Sequence, residues 1–262
     1  MENREGIKQK WFEALLKARE RVVPVDSLCS AFGDLPIDAA YEVQEMIVRK
    51  RLDKGESVIG WKVGATSRAV MDQLEIDEPI LGCMTTQSDY SFSKEVEASN
   101  FCRLAVEGEI AFIMGKPLKG PGITKTDVIQ STEGIMGAVE LVDCRLKNWE
   151  PTLSEAVADN ALHAGIILGD VMKPLSGFDL IHEGVIMYQN GHLLSSACGV
   201  EALGNPLNVV WWLANKLGEL GKGLNEGDIV LTGSLTRFFF VTPGDVINVS
   251  FSNLGRIQFI VR

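Results

Sequence analysis

In the run VEGEIAFIMG, Glu107 and Glu109 stand two residues apart within an apolar segment of β-like composition. The strand period of two puts both carboxylates on one face, roughly 6 to 7 Å apart along the chain, with Ile110, Phe112 and Met114 on the other. A wetted sheet face accounts for such a pair by itself, because water between two carboxylates screens their repulsion. Glu140 changes the balance. It sits inside GIMGAVELV, where an unpaired carboxylate is costly to desolvate, so it requires a cation or a donor. Arg145 or another basic side chain would satisfy it as a plain ion pair. Three acids in two neighbouring β-like runs also fit a hard divalent cation with water completing the octahedron, and magnesium or manganese is then the natural ion.

Lys62, in the apolar run VIGWKVG, either snorkels out at a strand edge or sits partly buried near these acids. Asp159 and Asn160, in AVADNALHAG, follow a short apolar stretch where a helix cap is the plainest role. Thr232, Gly233 and Ser234 end the run GDIVL; they form a turn, or they offer donors to a carboxylate. Arg237 follows closely, as a surface charge or as a partner for a distal carboxylate. His163, His182 and His192 have no metal-ligand spacing, and no GxSxG elbow, P-loop or GxGxxG fingerprint accompanies them.

These residues need a scaffold, and the sequence divides into two kinds of pattern. Ile7, Trp11, Leu15 and Leu16 recur at helical spacing over residues 5 to about 20, and Ala40, Val43, Ile47 and Leu52 recur after Pro36. We expect an N-terminal helical segment over 1–56. From Ser57 the pattern changes to short β-like runs, SVIGWKVG, EGEIAFIMG, GAVELVD, GVIMYQNG, GDIVLTG, GDVINVSF and GRIQFIV, parted by turn residues. This predicts a catalytic β-rich body over 57–262, continuous with the helices or a domain of its own. One helix interrupts it: Asn205 caps, Pro206 takes the first position, and Val209, Trp212, Leu213, Leu217 and Leu220 form its apolar stripe. Gly227-Asp228 and Gly244-Asp245 each launch a strand, and Asn253-Leu254-Gly255 makes a tight hairpin.

With 262 residues and a net charge of -10, the chain can bury a sizeable core but lacks the clustered Lys and Arg that nucleic acid requires. Its five cysteines form no CxxC pair, which argues against a disulfide framework or a zinc ribbon and for a reducing compartment. The N-terminus has no apolar signal core, and no apolar run reaches the length of a membrane span. A cytoplasmic protein is expected.

The segments AAYEVQ, GWKVGATSRAVMDQLEIDEPILG, VEGEIAF, LKGPGIT, VELVDCRLKNW, AVADNA, LGNPLNVVWWLANKL and GDIVLTGSLT follow one another in this order. In that combination the chain resembles the 2-keto-4-pentenoate hydratase and 4-oxalocrotonate decarboxylase family, a branch of the fumarylacetoacetate hydrolase superfamily found in bacterial meta-cleavage of aromatic compounds. The resemblance implies an α+β fold, an N-terminal helical cap on a strand-rich mixed β-roll. It implies a magnesium or manganese ion on Glu107, Glu109 and Glu140, Lys62 and Asp159 as catalytic residues, and Thr232, Ser234 and Arg237 against the substrate. The substrate would be a small 2-oxo or 2-hydroxydienoic acid, chelated so that the metal stabilises the negative charge of a developing dienolate. The chain departs from the family at Ala105, where Arg or Lys is usual and Arg103 stands nearby, and at Ile80, which is Asp in several hydratases.

The implied activity is a lyase that hydrates 2-hydroxypenta-2,4-dienoate, or a close homologue, to a 4-hydroxy-2-oxo acid. EALGNPLNVVWWLA and GSLTR resemble hydratases, whereas EPILG resembles decarboxylases acting on 2-oxo-3-hexenedioate. A carbon–carbon hydrolase is a weaker reading, since no histidine matches the place of that group's water-activating residue. A non-catalytic partner subunit of a hydratase and decarboxylase complex is the reading from another class. Family members are commonly homo-oligomers, and a complex with a sister hydratase or decarboxylase is compatible with the resemblance.

Overall fold

The computed structural model describes residues 3–262. Three helices come first, α1 (Arg4–Arg21), α2 (Leu28–Phe32) and α3 (Ile37–Asp53). Asn3 caps α1 through the Gly6 amide, and Trp11, Leu15, Val43 and Ile47 are buried where the helices meet. The expected helices at both places are present. Their apolar faces share one core with Ile80, Leu146, Val157 and Ala158 of the strand-rich body.

That body carries strands β1 (Val58–Gly64), β2 (Ile80–Thr85), β3 (Glu95–Val96), β4 (Ala105–Met114), β5 (Thr132–Val142) and β6 (His163–Lys173). Then follow β7 (Gly184–Gln189), β8 (His192–Cys198), β9 (Ile229–Leu231), β10 (Phe239–Phe240), β11 (Val246–Phe251) and β12 (Arg256–Val261). Among them lie helices α4 (Arg68–Leu74), α5 (Lys125–Ser131), α6 (Leu153–Ala158) and α7 (Pro206–Glu219). One sheet runs β2-β1-β9-β4-β5-β6 with β10 added beside β4, and a second runs β3-β12-β11-β7-β8. Neither closes into a barrel. Ile110, Phe112, Val185, Met187, Val249 and Phe259, from both sheets, pack into one core.

Asn205 and Pro206 start α7 as expected, and Val209, Leu213 and Leu217 are fully buried. Leu220 departs from the expected stripe: it lies past the last helical residue and is exposed. The hairpin at Asn253-Leu254-Gly255 joins β11 to β12. Strands β2, β3, β6, β8 and β10 extend the sheets beyond the β-like runs read from the sequence. Among the described residues no helix is long and apolar enough to cross a membrane.

Candidate metal centre and substrate cavity

Glu107 and Glu109 project from one face of β4, and the antiparallel register sets Glu140 of β5 directly opposite Glu107. One carboxylate oxygen from each comes within 4.8 Å of the other two. Glu109 and Glu140 are fully buried. The Gly233 amide donates to Glu109 Oε2 at 2.9 Å, while Glu109 Oε1 is buried without a hydrogen-bond partner and Glu140 Oε2 meets only the Lys62 ammonium. Burial and the facing Glu140 push the Glu107 carboxyl up to about 7. The same two causes, with Glu107 added, raise Glu109 well above the ordinary range. An orphaned buried oxygen among mutually repelling acids is what a hard cation relieves, so the donor set fits a divalent metal.

The cation beside Glu140 is not Arg145. Lys62 Nζ stands 3.2 Å from Glu140 Oε2 and donates to the Ala161 carbonyl at 2.9 Å; it is 5% exposed, so it does not snorkel out. His163, fully buried at the head of β6, places Nδ1 2.7 Å from Glu140 Oε1. Burial alone would raise Glu140, but Lys62 and His163 outweigh it and hold the carboxyl below its usual range. Burial lowers the His163 imidazole despite Glu140 beside it. Histidine spacing along the chain gave no hint of this contact, because β6 brings His163 to Glu140 only through sheet pairing.

Arg145 is committed elsewhere. Its Nε bonds Asp159 Oδ1 at 2.6 Å and its backbone amide bonds Asp159 Oδ2 at 2.9 Å. Arg19 of α1 adds a third bond to the Asp159 carboxylate at 3.1 Å. Asp159 is fully buried, follows the last residue of α6 and lies off the substrate cavity. The structure thus sets the expected catalytic Asp159 apart from the cavity, its carboxylate held by Arg145 and Arg19. Thr232 is likewise turned away, its hydroxyl donating to the Ile110 carbonyl at 2.8 Å.

The remaining expected residues gather on one cavity of about 440 Å³, lined by Lys62, Glu107, Glu109, Ser234 and Arg237. Its apolar wall includes Val70, Leu74, Ile80, Leu153, Trp149 and Phe238. Trp149 and Phe238 touch with ring centroids 5.2 Å apart, and both pack against Phe240. Arg103 lays its guanidinium over Phe240 at 3.5 Å. Gly233 is required where it is: with φ +89°, a Cβ would meet Thr66 Oγ1 at 2.1 Å. The turn that presents the Gly233 amide to Glu109 thus rests on the missing side chain.

Behind Lys62 lies an unusual turn. Asn160, Ala161 and Leu162 have φ of 60°, 51° and 62°, a run of left-handed non-glycine residues that costs about 1–2 kcal/mol each. Such backbone persists only where its surroundings over-determine it.

A carboxylate triad with a lysine cation beside it, opening on a part-apolar cavity lined from β1, β4, α4 and α6, makes a site suited to a divalent metal. The chain belongs to the fumarylacetoacetate hydrolase family: residues 60–262 match the model of the fumarylacetoacetate (FAA) hydrolase C-terminal region. It is 34% identical over 254 residues to the TodF product hydratase of Pseudomonas putida strain F1, covering 97% of this chain and 95% of that one. It is 33% identical over 234 residues to a 4-oxalocrotonate decarboxylase of Pseudomonas putida, covering 89% of each. The structure of 4-oxalocrotonate decarboxylase from Pseudomonas putida G7, complexed with magnesium and adipate, superposes with a TM-score of 0.94 at 31% identity. That likeness covers 100% of this chain and 99% of the other. The protein is thus an enzyme of the lyase kind, from a group of hydratases and decarboxylases.

Proposed function

We propose that this chain hydrates 2-hydroxypenta-2,4-dienoate, or a close homologue, to a 4-hydroxy-2-oxo acid, with magnesium or manganese held by Glu107, Glu109 and Glu140. The observation that carries the proposal is that Glu107, Glu109 and Lys62, with Glu140 behind them, meet at a cavity that also has a broad apolar wall. The acid head of a small 2-oxo compound needs cations, and its hydrocarbon tail needs the apolar wall; the cavity supplies both. When bound, a divalent ion supplies Lewis-acid polarisation of the 2-oxo and carboxylate oxygens.

The chain's own residues do the rest. Lys62 brings a fixed ammonium to the cavity wall, where it attracts the anionic substrate and offers a donor in a water-poor site. Val70, Leu74, Trp149 and Phe238 exclude bulk solvent from the tail. Ser234, half-buried beside Glu107, is turned inward by donating to the Thr236 carbonyl and leaves its lone pairs to the cavity. The net reaction adds one water across the distal double bond after the dienol has ketonised. We read the protein as a cytoplasmic homo-oligomer.

Decarboxylation of 2-oxo-3-hexenedioate is the second reading, favoured by Arg237: it lines the cavity and stacks on Phe239 at 5.0 Å, with no acidic partner among the described residues. The deciding experiment offers each acid separately to the purified protein with magnesium, following dienol absorbance and carbon dioxide, with Glu107→Ala as control. Magnesium-dependent loss of the dienol without carbon dioxide supports the hydratase. Carbon dioxide from the dioate overturns it in favour of the decarboxylase, and inactivity on both favours the non-catalytic subunit.

A further inference from the structure

The left-handed turn after α6 has a donor for every carbonyl it exposes. Asp159 O accepts from Arg145 at 2.8 Å and Arg19 at 3.0 Å, Asn160 O from the His163 amide, and Leu162 O from the Asp143 amide at 3.0 Å. The Ala161 carbonyl, in the middle, takes its bond from Lys62 Nζ. The Asn160 side chain grips strand β2 at both ends of one residue: Oδ1 accepts from the Cys83 amide at 2.8 Å, and Nδ2 donates to the Cys83 carbonyl at 2.9 Å. Gly82, the register partner of Lys62, admits the turn, since a Cβ there would stand 2.5 Å from Asn160 O.

Lys62 therefore has two anchors, Glu140 in the triad and a carbonyl that only this turn can put in place. We infer that Asn160 is a positioning residue: by clamping the 160–162 turn onto β2 it fixes the Ala161 carbonyl, and so fixes where the Lys62 ammonium meets the substrate cavity. Asn160 is 2% exposed and absent from the cavity lining, so it acts through Lys62 and not on substrate. A side chain that only filled space would not need both of its polar ends satisfied by one residue of the lysine's neighbouring strand. The kinetic half of the inference rests on the function proposed above; the placement of Lys62 does not.

The test uses Asn160→Gly, which keeps the left-handed backbone accessible while removing both bonds to Cys83, with urea unfolding to check that the fold is kept. Asn190→Gly, at the left-handed turn between β7 and β8, serves as a control with unchanged activity. In Asn160→Gly, kcat is expected to fall about tenfold to hundredfold, because small misplacement of a reacting group is costly. The magnesium Kd from calorimetry should stay within about twofold, since Asn160 bonds none of the three glutamates, while KM rises as well because Lys62 also attracts the anionic substrate. In the metal-free protein, reductive methylation mapped by mass spectrometry should label Lys62 faster in Asn160→Gly than in the wild type. With an active wild type, an unchanged kcat, or a fall that follows lost magnesium affinity, overturns the inference. If the wild type turns over neither acid, the functional proposal fails and labelling alone decides, unchanged labelling of Lys62 overturning the inference.

Discussion

Glu107 on β4 and Glu140 on β5 are direct partners in the antiparallel register, two carboxylates facing each other at the position where a sheet tolerates like charges least. Lys62 and His163 compensate Glu140, while Glu107 and Glu109 stay raised by burial and by Glu140. The unliganded site is thus electrostatically unfavourable, and the protein should gain stability from the ion that relieves it.

Glu109→Gln separates these effects. The amide cannot ionise, so it removes an acid whose charge the fold opposes, and near neutral pH the metal-free protein should melt higher than the wild type. Magnesium at about 100 times its Kd should stabilise the wild type by about 2.7 kcal/mol and the variant hardly at all. Thermal unfolding with magnesium and with chelator measures both arms.

Asp159→Asn should act mainly on stability. It leaves Arg145 and Arg19 sharing a neutral group in a fully buried setting, a loss of about 3–5 kcal/mol by urea unfolding. A variant that unfolds at the wild-type urea concentration yet is inactive would restore Asp159 to a catalytic role.

Glu155 gives a pH dependence with a defined sign. Its buried carboxylate accepts from the Leu28, Cys29 and Thr152 amides and from the Ser27 hydroxyl, tying α2 to α6. Burial opposes its charge, but these donors outweigh burial and hold the carboxyl below the ordinary glutamate range. A depressed folded value means stability that is fully present above the unfolded pKa of about 4.3 and lost as pH falls through the folded one. Urea midpoints of the wild type and Glu155→Gln should differ by a constant amount near neutrality and converge in acid.

Arg237→Ala tests what the cavity recognises at its open end. If a dioate is bound, its distal carboxylate loses a charged donor, and KM for 2-oxo-3-hexenedioate rises about tenfold to hundredfold. KM for 2-hydroxypenta-2,4-dienoate, which has no such group, should not change. Equal changes for both substrates would place Arg237 at the shared carboxylate.

Local chemistry was readable in advance. Asn205-Pro206 starts α7 because a capping side chain and a fixed φ act within a few residues, and the period of two in VEGEIAF puts Glu107 and Glu109 on one face wherever the strand goes. The helices at α1 and α3 follow from apolar spacing in the same way. Strand β6 was less legible: HAGIILGDVMK carries two glycines and a charged end, and it is a strand because β5 pairs with it.

The sequence by itself determined which residues are acidic, apolar or turn-forming, and therefore which segments become helix or strand and which acids share a face. Tertiary structure alone decided the partners. It gave Glu140 to Lys62 and His163, gave Arg145 and Arg19 to Asp159, and turned Thr232 into the sheet. The physical reason is range: propensity, capping and periodicity are set by neighbours within one or two turns of chain. Register between β4, β5 and β6, and the strained turn that aims Lys62, are set by packing between segments 20 to 100 residues apart, as in the Lys62–Ala161 bond across 99 residues.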